Sequence, residues 1–237
     1  MATYDVECAG RWDHDFYLAR ARSLKATSLV DLGCGTGVFA TDAAATGIAT
    51  VGVDPSPAML AAARRRDTAG AVTWLLGGAD VVASDSTDLV VMMGHVAQYF
   101  AGDDEWPAVL AECHRALRPG GHLTFETRNP AARAWERWTK PATYQRLRHP
   151  DGGWFETWVD LVEVAGDPDA PTETHAGHTV LPGDEHVVAH ETLRFRSPAE
   201  IVTALDAAGF TIESLVGGWD GSPFTDTSPE MIVLARR

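Results

Sequence analysis

The chain has 237 residues and a formal net charge of −14, from 19 basic and 33 acidic side chains. This length fits one α/β domain with an insertion. The negative charge disfavours a nucleic-acid substrate, because binding a phosphate backbone depends on Lys and Arg. Three cysteines without a C-x-x-C spacing indicate neither a disulfide framework nor a zinc site.

The sequence indicates neither a membrane span nor a signal peptide. No segment approaches about 18 consecutive apolar residues, and Asp5 and Glu7 do not fit the basic-then-apolar start of a signal peptide. We therefore expect a cytoplasmic protein that binds neither membrane nor nucleic acid and takes a small molecule as its substrate. We expect it to be a monomer or a homodimer.

Taken in chain order, residues 1–27 are predicted to form a helical segment, with a helix at about 13–25. From residue 29 to residue 126, short apolar runs alternate with helix-forming stretches. This alternation is typical of βαβ units in a parallel sheet. We expect residues 1–237 to form one domain.

A glycine-rich turn follows the first predicted strand, residues 28–32. Gly33, Gly35 and Gly37 alternate with other residues, and a helix-forming stretch over 38–46 comes next. Glycine accepts positive φ and lets the backbone turn sharply and lie against a ligand. The pattern predicts the first βα turn of a nucleotide-binding α/β sheet.

An acid ends the second predicted strand, residues 50–53. Asp54 lies 17 residues after Gly37, and a carboxylate at the tip of this strand is where such folds hold both hydroxyls of a ribose. Together with the glycine turn, Asp54 predicts a cofactor that contains adenosine.

The glycine spacing narrows the choice of cofactor. Val38 occupies the place of the third glycine in the dinucleotide pattern G-x-G-x-x-G, and the chain has no P-loop. Asp31, directly before the turn, would repel a phosphate but suits a ligand with an ammonium group. A nicotinamide dehydrogenase is therefore disfavoured.

Residues 31–37 and 52–56 closely resemble the first two motifs of class I S-adenosylmethionine-dependent methyltransferases. Residues 77–80, 87–95 and 117–126 resemble later motifs of that family, in the same order. The resemblance implies a Rossmann-like, doubly wound sheet of seven strands, mostly parallel with an antiparallel last strand. It also implies S-adenosyl-L-methionine as the cofactor and methyl transfer as the reaction.

The resemblance also assigns the cofactor-binding residues. Asp80 matches the acid that approaches the adenine amino group, and Tyr17 is expected to close over the cofactor from the N-terminal helix. Cys34 is expected to be a small packing residue and not a nucleophile. The full predicted set is Tyr17, Asp31, Gly33, Cys34, Gly35, Gly37, Asp54, Pro55, Ser56, Met59, Ala79, Asp80, Val81, Met93, Gly94 and His95.

The pattern changes over residues 129–196, where turn residues separate β-like runs. We predict a short helix at 131–138 and then an antiparallel β insertion after strand five that covers the cofactor pocket. Its strands are predicted at 154–164, 172–181 and 186–195, with a tight turn at 182–184. A helix at 198–208, capped by Ser197 and Glu200, and strands at 211–216 and 231–235 then complete the sheet.

Candidate catalytic residues follow strands four and five. His95 stands at the carboxyl end of strand four, where open α/β sheets bind ligands, and histidine suits proton removal near neutrality. It is either the general base or a residue that shapes the cofactor pocket. Glu126 accepts a proton or binds an amine, Arg128 binds a carboxylate, or the two pair with each other.

Three further residues are candidates for contact with the acceptor. Gln98 contacts the cofactor or the acceptor, or it packs in a helix. Trp135 and Trp138 form a wall of the acceptor pocket, or they only pack. No metal site is predicted: His178 and His186 offer two ligands across a hairpin, but His186 and His190 would lie about 13 Å apart on one strand.

Two alternatives to small-molecule methylation share this fold. A nucleic-acid or protein methyltransferase is disfavoured, because residues 92–95 lack the Asn/Asp-Pro-Pro-aromatic motif of base N-methyltransferases. A protein that uses S-adenosylmethionine structurally, or for a cyclisation without methyl transfer, stays open. The acceptor atom (O, N or C) is also left open by the sequence.

Overall fold

The computed structural model of the chain describes residues 3–7, 10 and 12–237. Cys8, one of the three cysteines, lies outside this part of the chain. The helices are α1 (Tyr4–Glu7), α2 (Trp12–Ser23), α3 (Val38–Ala45), α4 (Pro57–Arg66), α5 (Glu105–Ala116), α6 (Lys140–Thr143) and α7 (Pro198–Ala207). The strands are β1 (Ser28–Leu32), β2 (Ala49–Asp54), β3 (Val72–Leu76), β4 (Thr87–Met92), β5 (Leu117–Arg128), β6 (Gln145–Arg148), β7 (Trp154–Asp167), β8 (Ala170–Val180), β9 (His186–Arg194), β10 (Thr211–Val216) and β11 (Glu230–Arg236).

The larger sheet has seven strands in the order β10-β11-β5-β4-β1-β2-β3. Strands β1 to β5 pair in parallel, whereas β11 runs antiparallel to both of its neighbours. This is the predicted Rossmann-like sheet with an antiparallel last strand. Because the parallel strands share a direction, the loops that follow β1, β2, β3 and β4 meet at one edge of the sheet.

Two apolar clusters pack against opposite faces of this sheet. Trp106, Leu110 and Leu205 belong to the cluster beneath α5 and α7, and Tyr17 and Phe39 belong to the cluster beneath α2 and α3. Burying these side chains on both faces stabilises a central sheet that is itself largely apolar.

Local capping explains where the helices begin. Ser56 Oγ accepts the backbone N–H of Met59 at 3.3 Å, with Pro57 as the first helical residue of α4. Ser197 and Glu200 form the predicted capping box of α7. Pro107 does not delay the start of α5, because it lies in the first turn, where its missing N–H has no intrahelical partner to lose.

The second sheet is antiparallel, with the order β6-β7-β8-β9. Its three longer strands were predicted within a few residues of their observed bounds, whereas β6 and α6 were missed. The helix predicted over 131–138 is wrong: two short 3₁₀ turns, Pro130–Ala132 and Ala134–Arg137, occupy this segment. Arg133 between them has φ of +44°, a left-handed conformation that interrupts a continuous helix.

Within the described part of the chain, no helix is both long enough and apolar enough to cross a membrane.

Candidate active site

The glycine turn after β1 has the backbone that the sequence predicted. Gly33 and Gly37 both have φ of +78°, a conformation that costs little only for glycine. Space is also limited at both positions, since an added Cβ would lie 2.5 Å from Val96 Cγ2 at Gly33 and 2.4 Å from Trp74 Cη2 at Gly37. The turn therefore requires glycine for its conformation and for its packing.

Asp54 is buried at the end of β2 and faces the glycine turn. Its Oδ2 accepts the backbone N–H of Gly35 at 2.8 Å, and its Oδ1 accepts that of Ser56 at 2.8 Å. Each carboxylate oxygen keeps a second lone pair. Asp54 thus fixes the glycine turn and still has acceptors for two ligand hydroxyls.

Asp31 is buried near the end of β1, directly before the turn. Among the described residues, its Oδ2 has no hydrogen-bond partner. Burial, followed by the charge of Asp54, raises the pKa of Asp31 to about 7. A ligand ammonium placed here would supply the missing donor and the compensating charge.

These observations test whether S-adenosylmethionine fits the residues present. The cofactor carries a ribose diol and an α-ammonium group, which match the free acceptors of Asp54 and the unpartnered oxygen of Asp31. Asp31 directly precedes the glycine turn and Asp54 holds it through the N–H of Gly35, so both acids lie at the same turn. The hydroxyl and ammonium donors of the cofactor therefore fit the carboxylate acceptors of Asp54 and Asp31.

Helix α1 lies against the same turn. Asp5 accepts a hydrogen bond from Thr36 Oγ1 and pairs with Arg66, whose Nε donates to the carbonyl of Thr36 at 3.0 Å. Arg66 therefore connects α4 to the glycine turn and to α1.

The other predicted cofactor residues lie in the loops at this edge of the sheet or just beyond. Cys34 is buried, and burial raises the pKa of its thiol, as expected for a packing residue. Ser56 caps α4, and Asp80 is exposed. Pro55 follows β2, Met59 lies in α4, Ala79 and Val81 follow β3, and Met93 and Gly94 follow β4.

His95 is held by two carboxylates at the end of β4. Its backbone N–H donates to Glu126 Oε1 at 2.7 Å, and its ring Nε2 lies 3.1 and 3.0 Å from the two carboxylate oxygens of Glu230. The residue has φ of +61°, a conformation that is unfavourable for residues other than glycine. Such strained conformations are found at functional sites.

Glu126 is buried in β5, and burial raises its pKa. Its Oε2 accepts a hydrogen bond from the hydroxyl of Tyr17, which is itself fully buried. Tyr17 was expected to close over the cofactor; its hydroxyl is instead directed to Glu126. The same carboxylate therefore connects α2, β5 and the backbone of His95.

Arg128, at the end of β5, makes no hydrogen bond to Glu126 in the described structure. Its Nη1 donates to Gln98 Oε1 at 2.8 Å, and its guanidinium lies 5.3 Å from the ring centre of Trp138. Burial lowers the pKa of Arg128. The structure thus brings together Gln98, Arg128 and Trp138, three of the predicted acceptor-binding residues.

The two tryptophans pack in the small apolar cluster beneath the second sheet. The rings of Trp135 and Phe195 meet edge to face with centres 4.6 Å apart, and the ring of Trp138 lies 4.9 Å from that of His175. Trp135 is buried within this cluster. Trp138 stands between the cluster and Arg128, at the boundary of the two sheets.

The second sheet contributes two acidic residues, Glu173 and Glu191, that the sequence did not identify as candidates. Glu173 in β8 is fully buried, and its Oε2 lies 3.1 Å from His175 Nδ1. Glu191 accepts a hydrogen bond from the hydroxyl of Tyr99 at 2.7 Å, which joins β9 to the loop after β4. Burial lowers the pKa of His175, but hydrogen bonds to Glu173 and Glu191 outweigh it and raise the pKa to about 9.

His178 and His186 do meet across the hairpin. His178 Nδ1 lies 3.0 Å from His186 Nε2, and the ring of Trp158 stacks on His178. Within the described residues, no group of three or more His, Cys, Asp or Glu side chains is arranged to hold a metal ion.

The fold and this site define an α/β domain built to bind an adenosine cofactor at the carboxyl edge of a Rossmann-like sheet. Comparison with known proteins shows which proteins this chain resembles. Residues 29–121 match the model of a methyltransferase domain. The cypemycin N-terminal methyltransferase of a Streptomyces species is 27% identical over 230 residues, which cover 93% of this chain and 87% of that protein.

Solved structures agree in fold. The CcbJ methyltransferase from Streptomyces caelestis superposes with a TM-score of 0.75 at 20% identity, over 96% of this chain and 90% of that one. The S-adenosylmethionine-bound amino pentose methyltransferase CalS10 from Micromonospora echinaspora gives a TM-score of 0.69 at 20% identity, over 98% and 93%. Residues 29–121 therefore resemble a methyltransferase domain, and the fold of the chain is that of these solved methyltransferases.

Proposed function

We propose that this enzyme transfers the methyl group of S-adenosylmethionine to a small-molecule acceptor, with His95 as the general base. The observation that carries the proposal is the pairing of His95 with Glu230 at the end of β4, beside the glycine turn. The alternative, a protein that binds S-adenosylmethionine without methyl transfer, is disfavoured because the relative that matches most of this chain is named as a methyltransferase.

Asp54 and Asp31 hold the cofactor in this proposal. Asp54 accepts the two ribose hydroxyls, and Asp31 accepts the ammonium group. The bound cofactor supplies an electrophilic methyl group, so the protein mainly orients the acceptor, excludes water and removes a proton.

Glu230 selects the tautomer of the imidazole. A carboxylate beside Nε2 favours the tautomer with hydrogen on Nε2, so that Nδ1 presents its lone pair. Nδ1 is then the atom that removes the acceptor proton. Glu126 holds the backbone of His95 and so orients the ring; it is a positioning residue in this mechanism.

The second sheet covers the acceptor side of the site. We propose that residues 129–196 form this cover, residues 1–27 form an N-terminal helical segment, and residues 1–237 fold as one domain. Gln98, Arg128, Trp135 and Trp138 then line or support the acceptor pocket. We also propose a cytoplasmic monomer or homodimer that does not act on nucleic acid, in keeping with the net charge of −14.

The proposal is tested by following the formation of S-adenosylhomocysteine from S-adenosylmethionine with a panel of small amines, phenols and carboxylic acids. We expect formation that depends on the acceptor and that falls in a His95→Asn variant. Asn tolerates the left-handed backbone of His95 better than most side chains. Cofactor binding without any acceptor-dependent turnover would contradict the proposal.

A further inference from the structure

The site between the two sheets carries an excess of negative charge. Glu126, Glu173 and Glu230 all act on the buried guanidinium of Arg128. His175, whose pKa is raised by Glu173 and Glu191, supplies a second cation. The two cations, Arg128 and His175, therefore face four carboxylates, those of Glu126, Glu173, Glu191 and Glu230. Buried carboxylates that lack an opposite charge are unfavourable, so the arrangement favours a cationic ligand.

Glu173 gives the charge a specific location. Its side chain is fully buried, and its Oε2 is engaged by His175, but its Oε1 has no partner within the part of the chain that the structure describes. A buried carboxylate oxygen without a donor is rare in folded proteins. This atom therefore marks a position where a ligand donor belongs.

Gln98 is a second, independent side chain with a buried polar atom that lacks a hydrogen-bond partner. It is also fully buried, and its Oε1 accepts from Arg128 at 2.8 Å, whereas its Nε2 finds no acceptor among the described residues. Gln98 lies in the 3₁₀ turn after β4 and Glu173 in the second sheet, and Arg128 interacts with both of them. A ligand that satisfies both residues offers a donor to one and an acceptor to the other.

We propose that the methyl acceptor is an amine with an oxygen on a neighbouring carbon, bound as an ammonium ion against Glu173 while its oxygen accepts from Gln98 Nε2. This inference rests on the proposed methyl transfer and specifies its substrate class. An amino sugar and the amino terminus of a peptide both have this chemistry, as a vicinal hydroxyl or as an amide carbonyl. Asp31, directly before the glycine turn, is left for the ammonium of the cofactor.

The reaction balances for a primary amine. The bound ammonium gives one proton to Nδ1 of His95, and the nitrogen lone pair then forms the new bond to the methyl carbon. The electron pair of the breaking C–S bond goes to sulfur, which becomes neutral. The product leaves as a protonated secondary amine, and the proton on His95 passes to solvent.

The test compares amines with alcohols of the same shape. Glucosamine is paired with glucose, and alaninamide with lactamide, so that each pair differs in one nitrogen and the two pairs separate the sugar from the peptide form. Binding to the protein saturated with S-adenosylhomocysteine is measured by calorimetry at millimolar ligand. Methylation is measured by mass spectrometry with S-adenosylmethionine.

We expect at least one amine to bind and to be methylated, and its alcohol to do neither. A Glu173→Gln substitution keeps the shape of the side chain and is expected to weaken amine binding about ten- to hundredfold. Glu163→Gln is the matched control, because Glu163 is exposed on the neighbouring strand β7. The affinity of the Glu163→Gln variant for the amine is expected to be unchanged.

Two results would overturn the inference. Equal or better binding and methylation of the alcohols would exclude an amine site while leaving methyl transfer intact. Failure of both amines to bind the S-adenosylhomocysteine complex would also exclude it, since the unpartnered Oε1 of Glu173 should hold even a small ammonium ion. Binding of the amines without methylation would support the amine site and would contradict the proposed methyl transfer.

Discussion

The imidazole of His95 lies 3.0 Å and 3.1 Å from the two carboxylate oxygens of Glu230, although the residues are separated by 135 positions in the chain. The pairing of β11 with β5 brings them together, since Glu230 is directly opposite Arg128 in that ladder. A histidine and a carboxylate from different elements therefore meet where the loop after β4 leaves the sheet.

This relationship gives the first prediction. His95→Asn is expected to lower kcat about a hundred- to ten-thousandfold, the usual contribution of a general base, with little change in cofactor affinity. Glu230→Gln is expected to lower kcat less, and the double variant should be no worse than His95→Asn alone, because Glu230 acts through His95. Steady-state kinetics and calorimetric titration with S-adenosylmethionine measure both quantities.

A second His–Glu pair provides the control. His122 in β5 lies 3.1 Å from Glu213 in β10, near the other end of the sheet. Glu213→Gln is expected to leave kcat unchanged. If cofactor affinity falls together with kcat in His95→Asn, His95 shapes the cofactor pocket and is not a base.

Asp54→Ala is expected to weaken S-adenosylmethionine binding at least tenfold, because it removes two charge-assisted hydrogen bonds, each worth about 1.5–3 kcal/mol. It also removes the acceptors for the N–H groups of Gly35 and Ser56, so the glycine turn loses support. Calorimetric titration measures the affinity, and urea unfolding without ligand measures the loss of stability.

Asp88→Ala is the matched control for Asp54, since Asp88 Oδ2 also accepts backbone N–H groups, those of Thr27 and Ser28, at the opposite edge of the sheet. We expect it to reduce stability without changing cofactor affinity. Unchanged affinity in Asp54→Ala would refute its role as the ribose acceptor.

Tyr17→Phe is expected to destabilise the enzyme by about 1–3 kcal/mol, because it leaves Glu126 Oε2 buried without a donor. Tyr17 and Glu126 are both almost entirely inaccessible to solvent, so water is poorly placed to replace the hydroxyl. Urea unfolding measures the change. Tyr144→Phe, which removes an exposed hydroxyl, should change the stability by much less; an equal effect would show that the buried bond contributes little.

The geometry of the proposed cofactor site could be predicted from the sequence because its determinants are local. The conformations of Gly33 and Gly37 and the place of Asp54 depend on one βα turn and the next strand. Each residue is specified by its chain neighbours: a positive φ requires glycine, and a strand end places its last side chain at the ligand edge. His95 was predicted for the same reason.

The acceptor half could not be predicted in the same way. Glu230 contacts His95 only because β11 pairs with β5 in an antiparallel arrangement, and no local sequence pattern predicts this pairing. Glu173 belongs to a strand whose inward face depends on how the second sheet docks on the first, and sequence alternation alone cannot tell which charge will be buried. Likewise, the hydroxyl of Tyr99, in the loop after β4, donates to Glu191 in the second sheet, a contact that no local sequence pattern indicates.

The final prediction concerns the pH dependence of stability and follows from Asp31. Burial raises its pKa from an ordinary value of 3.8 to about 7, so between these values the folded protein holds a proton that the unfolded chain releases. The stability from this proton is present below about pH 4 and is lost as the pH rises through about 7. Ionised Asp31 therefore lowers the free energy of unfolding of the ligand-free protein at higher pH.

Asp31→Asn removes this destabilisation, because the amide is neutral at every pH. We expect the variant to gain stability over the wild type as the pH is raised from about 5 to about 8, by about 1–4 kcal/mol, and to bind S-adenosylmethionine more weakly. Differential scanning calorimetry at several pH values measures the gain without ligand. A difference in stability that does not change with pH would show that Asp31 is already ionised across this range, and the same variant would then lose cofactor affinity without any gain in stability.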